Sequence, residues 1–241
     1  MHGTEHMTYS IKTAFVIISM TTVIAGFSQK QLNDTIILKR SVADPLRSIV
    51  FIDPDKNSKY YEQLSYFGYD NNHFSEMAKI LEDSAGKQSQ PNKLPDLPKK
   101  WLPLYLYKGN YYVYIPCDGI YIYKIMITDE YVCETEVGGL YPREFNSLKK
   151  INHTNYINSE TNYMWNEKDL HINIIDKQKG IAIFSTTRIE DRTIHYRLMV
   201  DANKIKLFPV IKNECPGGKE PEFDFEEPDF EKLLDKKDVK K

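Results

Sequence analysis

Residues 104–115 read LYLYKGNYYVYI, an alternation of tyrosines with aliphatic residues that is interrupted once by a turn signal. Successive side chains of a β-strand point to opposite faces, so the alternation sorts the two residue types onto two sides. Gly109 and Asn110 predict a two-residue hairpin turn, because glycine readily takes the positive φ of its first central position. The stretch therefore predicts a β-hairpin with one aromatic and one aliphatic face.

The predicted turn also sets which residues lie opposite each other. It pairs Tyr107 with Tyr112 and Tyr105 with Tyr114, and it directs the intervening aliphatic side chains to the other side of the hairpin. The aliphatic side is the natural core side. We call Tyr105, Tyr107, Tyr112 and Tyr114 the tyrosine face.

The tyrosine face is the candidate ligand-binding site. One aromatic side chain buries about 150–250 Å², so four of them form an apolar patch of a size that is normally covered. We expect helices earlier in the chain to cover it; a ligand or partner surface and simple solvation are the alternatives. Tyrosine offers a ligand rigid contact area together with a hydroxyl group. Tyr121 and Tyr123 extend this face if the next strand keeps the alternation.

Working outward, short β-rich segments separated by turn signals follow one another from Trp101 to Pro209. They predict a mainly β fold, an antiparallel meander that closes as an up-and-down barrel, because closure removes exposed strand edges. A β-sandwich is the alternative. Within this region we predict a loop or short helix between Gly138 and Thr161, and a last strand at Lys204 to Phe208.

The order of these strands resembles that of lipocalin-like barrels, over Trp101 to about Phe208. Lipocalins carry Gly-x-Trp on the first strand; this chain has Trp101 but Lys99 in place of the glycine. The Thr128-Asp129 pair is similar to a later lipocalin signature, although Glu130 follows where that pattern has an aromatic residue. The resemblance implies a secreted barrel that encloses a small ligand, and it assigns no binding residues.

Composition divides the chain into five parts. Tyrosine and leucine at helical spacing predict two short helices before the β domain, and prolines between them and the domain predict an extended linker. Acidic and aromatic residues alternate in the tail, which is predicted to dock on the domain, with Pro228 starting a short helix. The parts are a signal peptide at 1–29, an N-terminal segment with two short helices at 30–86, a proline-rich linker at 87–100, the antiparallel β domain at 101–211 and a C-terminal tail at 212–241.

The start of the sequence predicts export to the periplasm or the extracellular space. Lys12 precedes an apolar run from Ala14 to Ala25, and small residues at Gly26 and Ser28 favour cleavage near Ser28. The apolar run is shorter than the roughly 20 residues that span a bilayer. We therefore expect no membrane span after the signal is removed.

The chain has three cysteines, so they cannot all pair within one molecule. Cys117 and Cys215 are the pair to test, because one ends a predicted strand and the other follows the last strand. The alternative is that Cys117, Cys133 and Cys215 are small buried hydrophobic residues. The histidines show no metal-ligand spacing to them, so we predict no metal and no cofactor.

No catalytic residue is assigned. His171 and His195 are interpreted as buried, hydrogen-bonded histidines, and Glu134 as the solvated side of a strand. The Asp53-x-Asp55 pattern is typical of a turn with a helix cap, because the remaining ligands of a calcium loop are missing. The formal net charge of −2 gives no basic field for nucleic acid.

The sequence thus predicts an exported, non-catalytic β protein. It is expected to bind a small or extended ligand, a glycan or an apolar metabolite, through a barrel mouth or the tyrosine face. A secreted hydrolase with a carboxylate or histidine site is one alternative, and a cell-surface interaction module is another. The oligomeric state stays open.

Overall fold

A computed structural model describes residues 35–40, 48–67, 75–80, 83, 96–117, 122–129, 131–136, 139–144, 148–152, 155–161, 167–215 and 222–235. The predicted signal peptide and most of the predicted linker lie outside the described residues. Ile36–Lys241 forms one compact unit. Within the described ranges no helix has the length and apolar character needed to cross a bilayer.

The described strands are numbered in chain order. They are β1 (Ile36–Arg40), β2 (Ile49–Asp53), β3 (Lys100–Pro103), β4 (Tyr105–Tyr107), β5 (Asn110–Ile115), β6 (Ile125–Ile127), β7 (Tyr131–Glu136), β8 (Gly139–Glu144), β9 (Leu148–Lys150), β10 (Asn155–Thr161), β11 (Glu167–Asp176), β12 (Ile181–Arg188), β13 (Ile194–Asp201) and β14 (Val210–Glu214). Helical elements are α1 (Lys59–Ser65), a stretch at 75–80, a 3₁₀ helix (Ala202–Leu207) and the C-terminal helix (Phe230–Asp235).

The larger sheet has nine strands in the order β8-β7-β6-β3-β13-β12-β11-β10-β9, all antiparallel neighbours. It curls as a half-barrel, which confirms the mainly β, antiparallel prediction. In the described residues its outer strands, β8 and β9, are not paired with each other. The prediction of a loop or short helix between Gly138 and Thr161 is wrong, because this segment contains the strands β8, β9 and β10. These strands are polar, and Pro142 lies on the edge strand, where a missing amide donor is tolerated.

The smaller sheet has the order β1-β2-β14-β5-β4. Its central strand β14 runs antiparallel to β2 and parallel to β5, so strands from before the linker and after the half-barrel share one sheet. The last predicted strand, Lys204 to Phe208, is wrong because this segment is mostly the 3₁₀ helix. Ile205 and Phe208 are buried while Leu207 is exposed, a spacing of three that fits a 3₁₀ turn and not an alternating strand.

Two hydrophobic cores pack against opposite faces of the half-barrel. Along β12, Ile181 and Ile183 enter the first core, and Ala182 and Phe184 enter the second. The first core gathers side chains from both sheets, α1 and the 3₁₀ helix. The second core surrounds Trp101, which is fully buried.

Helix α1 attaches the N-terminal segment to the first core. The Ser58 hydroxyl accepts a hydrogen bond from the amide of Tyr60 at 3.3 Å, which confirms the predicted helix cap. At the other end, Lys124 Nζ donates to the carbonyl oxygens of Tyr66 at 2.6 Å and Gln63 at 3.3 Å. Burial lowers the pKa of Lys124 to about 8.

Cys117 and Cys215 form a disulfide, with their Cα atoms 5.4 Å apart. The bond joins the chain just beyond β5 to the chain just beyond β14, two neighbouring parallel strands. It confirms the pair predicted for testing. Cys133 is a buried free thiol whose pKa burial raises to about 12.

Candidate functional site

The hairpin β4–β5 forms, but its turn differs from the predicted one by one residue. Lys108 and Gly109 are the central residues, with φ of 48° and 72°, and Asn110 already belongs to β5. Both central residues have positive φ, as in a type I′ turn, in which glycine takes the second position. Tyr105 consequently lies opposite Tyr112, so the predicted pairing is wrong.

The four tyrosines of the tyrosine face nevertheless lie on one side of the hairpin. The true register differs from the predicted one by two residues, and an even shift leaves every side chain on its original face. The predicted partners still touch as diagonal neighbours: the ring centroids are 6.3 Å apart for Tyr107 and Tyr112, and 5.5 Å apart for Tyr105 and Tyr114. All four tyrosines join one cluster with residues of β2 and β14.

The C-terminal tail covers the tyrosine face. The Phe225 ring lies 4.5 Å from that of Tyr105 and 5.0 Å from that of Tyr114, and the Phe223 ring lies 5.1 Å from that of Tyr107. The prediction that helices before the linker cover this face is wrong for α1, which packs into the first core. The predicted docking of the tail is confirmed.

Glu226 fixes the tail to the hairpin. Its amide donates to the Leu106 carbonyl oxygen at 3.0 Å, which forms an isolated antiparallel bridge with β4. Its carboxylate accepts from the turn amides of Lys108 at 2.6 Å and Gly109 at 3.4 Å. Further along the tail, the predicted short helix starts at Phe230, two residues after Pro228. The Phe230 ring stacks on the ring of Tyr196.

A cavity of about 320 Å³ opens where the tyrosine face, the tail and the half-barrel meet. From the tyrosine face only Tyr105 and Tyr114 line it. Tyr123 lines it too, but it packs against the second core and not with the tyrosine face, so the predicted extension of the face is wrong for Tyr123. Tyr121 lies outside the described residues. The lining residues are Leu64, Leu102, Pro103, Tyr105, Tyr114, Pro116, Ile122, Tyr123, Glu222, Phe223 and Phe225.

The Tyr114 hydroxyl links the hairpin to the tail. It donates a hydrogen bond to the Glu222 carboxylate, and it accepts from the Phe223 amide at 3.2 Å and from Asn213 Nδ2 at 3.3 Å. Burial, followed by the bond to Glu222, raises the pKa of Tyr114. Burial likewise raises the pKa of Tyr105 to about 12. Both phenols are therefore neutral at physiological pH.

Tyr123, which lines the cavity, is held by two side chains that do not line it, Glu134 and Arg197. Its hydroxyl donates to Glu134 Oε1 at 2.9 Å and accepts from an Arg197 guanidinium nitrogen, also at 2.9 Å. Glu134 is 5% exposed, so its assignment to the solvated side of a strand is wrong. Alternation with the buried Cys133 favours an exposed Glu134, and the partner Tyr123 comes close to Glu134 only in the folded chain.

The candidate catalytic histidines do not come together. His171 lies on β11 and His195 on β13, and β12 runs between these strands. His195 is exposed. Across the described part of the chain, no cluster of three or more His, Cys, Asp and Glu side chains could hold a metal ion.

Comparison of the chain with protein-family models, with curated proteins and with solved structures gives no match.

Sequence reasoning placed Tyr105 and Tyr114 at the site and missed the other side of the cavity. Glu222, Phe223 and Phe225 come from a tail more than a hundred residues further along the chain. The available signal was the alternating segment EFDFE at 222–226, which is typical of an extended strand with one aromatic side. That signal indicates docking without indicating where the segment docks.

Proposed function

We propose that this protein is an exported, non-catalytic binding protein that holds a small molecule in the cavity beside the tyrosine face. The observation that carries the proposal is the cavity of about 320 Å³ walled by rings of the tyrosine face and of the tail. Small-molecule sites typically have volumes of about 300–1,000 Å³, apolar linings and a few convergent polar groups.

The lining suits a compact ligand with an apolar face. Tyr105, Phe223 and Phe225 offer ring surfaces for stacking, and Leu102 and Ile122 add aliphatic contacts. Polar atoms converge from Tyr123 and Glu222. A sugar ring or an apolar metabolite with a polar substituent matches this mixture of contacts.

Export is supported by two independent features. The first is the charged and apolar pattern between Lys12 and Ser28. The second is the disulfide between Cys117 and Cys215, a bond that persists mainly in oxidising compartments. Expression in a bacterial host followed by mass measurement of the exported fraction tests this part; we expect a chain that begins close to residue 29. An intact chain recovered only from the cytoplasm would contradict it.

Binding is tested with N-phenyl-1-naphthylamine, an uncharged apolar dye whose fluorescence rises when it leaves water. We expect a saturable fluorescence increase at one site per chain. Ile122→Trp fills the cavity and is expected to abolish the increase. Ile189→Trp is the matched control, because Ile189 is exposed and is not among the described lining residues.

Each alternative has its own outcome. Unsaturable dye binding, or equal binding by both tryptophan variants, would show that the cavity is not a ligand site, and would favour an interaction module. Release of product from nitrophenyl esters or glycosides that is lost in Glu134→Gln would favour a hydrolase, because Glu134 is a buried carboxylate that accepts a hydrogen bond from Tyr123 on the cavity wall.

A further inference from the structure

We infer that the ligand of the cavity is an organic cation, whose ammonium group is held between the aromatic rings and the Glu222 carboxylate. The inference rests on the proposed function, and it adds the charge of the ligand. Three observations support it: the aromatic wall, the sign of the charge on the lining, and the way the protein's own cations use neighbouring rings.

The wall has the composition of a cation-binding aromatic cage. Rings of Tyr105, Tyr114, Tyr123, Phe223 and Phe225 line one cavity. Each ring carries negative charge density on its faces, which attracts a positive group within about 6 Å of the ring centre. A quaternary or alkylated ammonium group suits such a wall, because it is weakly hydrated and needs few hydrogen bonds.

The charge of the lining has the matching sign. Glu222 contributes a carboxylate, and no Lys, Arg or His is among the described lining residues. Arg197 lies behind the wall, 4.6 Å from the centre of the Tyr123 ring. Burial is the main cause of the raised pKa of Tyr105, and the charge of Glu222 adds to it more than the charge of Arg197 opposes it.

The protein's own cations already contact tyrosines next to the cavity. The Arg197 guanidinium stacks over Tyr123, and Lys108 Nζ lies 5.2 Å from the centre of the Tyr107 ring. These contacts show that rings of this surface face positive groups. A cationic ligand would make the same kind of contact on the lining rings.

Anionic ligands fit the lining poorly. A carboxylate or phosphate would face Glu222 without a basic partner on the lining, and a charge that loses water without a partner is costly. The Tyr114 hydroxyl already donates to Glu222, so its proton is not available to an anion. Uncharged ligands gain the ring contacts and lose the attraction of Glu222.

The test uses three probes of similar shape and different charge: phenyltrimethylammonium, tert-butylbenzene and benzenesulfonate. Each displaces N-phenyl-1-naphthylamine from the full-length protein, and the apparent affinities are compared. We expect the cation to bind about tenfold more tightly than the neutral probe, since ring and carboxylate contacts with a partly exposed charge are modest. The sulfonate is expected to bind most weakly.

Glu222→Gln isolates the charge. It keeps the shape and an acceptor oxygen for Tyr114, so the neutral probe is expected to bind unchanged, while the cation loses its tenfold advantage. Glu227→Gln is the matched control, because it removes an exposed acid of the same tail that does not line the cavity. A thermal unfolding midpoint equal to that of the natural protein shows that each variant keeps its fold.

The outcomes separate the two proposals. Suppose that the dye binds and that Ile122→Trp blocks it. If the cation then binds no more tightly than the neutral probe, or if Glu222→Gln leaves the affinity for the cation unchanged, the proposed ligand charge is overturned and the binding function stands. If the dye itself does not bind saturably and no probe changes the thermal stability, both proposals fall together.

Discussion

The two faces of one hairpin have different fates in this fold. On one side, Leu104, Val113 and Ile115 are at most 3% exposed and belong to the first core. On the other side, the tyrosine face is covered by a tail, and Tyr105, Tyr107 and Tyr112 stay partly buried. The same backbone therefore carries a structural surface and a surface with a cavity.

The difference follows from side-chain chemistry. Branched hydrocarbons have no polar atom that needs a partner and gain free energy with every part of their surface that leaves water, so complete burial is favourable. A phenol has an apolar ring and a hydroxyl that needs a partner, so it is stable at a boundary that is half covered. Tyr114 shows the principle, because its ring packs against Phe225 while its hydroxyl joins Glu222.

The strongest way to test the comparison is to truncate one residue on each face. Ile115→Ala removes a fully buried side chain and is expected to lower the free energy of unfolding by about 2–5 kcal/mol. Tyr112→Ala removes a partly exposed ring and is expected to cost about half of that or less. Denaturant unfolding of both variants measures the difference. Equal losses would mean that the tyrosine face is also a core.

Removing the disulfide tests the link just beyond the end of β5, the strand that contributes residues to both faces of the hairpin. The double variant Cys117→Ser, Cys215→Ser is expected to lose about 2–4 kcal/mol, because the bond restricts the unfolded chain over a long loop. A reducing agent should destabilise the natural protein by a similar amount and leave the double variant unchanged. A natural protein that is insensitive to reduction after unfolding and refolding would contradict the assigned bond.

Shortening Phe225, a ring of the tail, measures what the tail contributes to the burial of the tyrosine face. Phe225→Ala is expected to cost about 1–2 kcal/mol, because the ring is only partly buried. It should also return the pKa of Tyr105 from about 12 toward 10, since burial is the main cause of the shift. Ultraviolet titration of phenolate, with Tyr105→Phe to assign the signal, measures the change. A Tyr105 pKa that stays near 12 would show that the tail is not the cover.

Lys124 supports the aliphatic side by holding α1, and it is expected to make the stability depend on pH with a small change at each step of pH. Its pKa is about 8 in the fold and 10.5 for an ordinary lysine, so between these values the unfolded chain binds more protons. Stability therefore rises with pH across this window. Relative to Lys124→Met, the natural protein should gain at most about 1.4 kcal/mol per pH unit between pH 8 and 10. A flat difference would contradict the lowered pKa.

Much of the fold could be predicted from local patterns. Alternation along 104–115 placed the four residues of the tyrosine face on one side, even though the turn was placed one residue away. The exception is Tyr111, which lies opposite Leu106 and packs against the first core. Helical spacing located α1, and strand ends suggested the pair Cys117 and Cys215. The polar strands β8, β9 and β10 were not predicted, because pairing with neighbouring strands stabilises them and they lack an apolar pattern of their own.

The sequence by itself determined which side of the hairpin is aromatic, because a strand repeats every two residues and this repeat is local. Only the tertiary structure decided that Phe223 and Phe225 cover that side, that Glu222 joins Tyr114, and that a cavity remains beside them. Contacts between residues more than a hundred positions apart depend on how two sheets and a tail pack together. No periodicity within either segment records that packing.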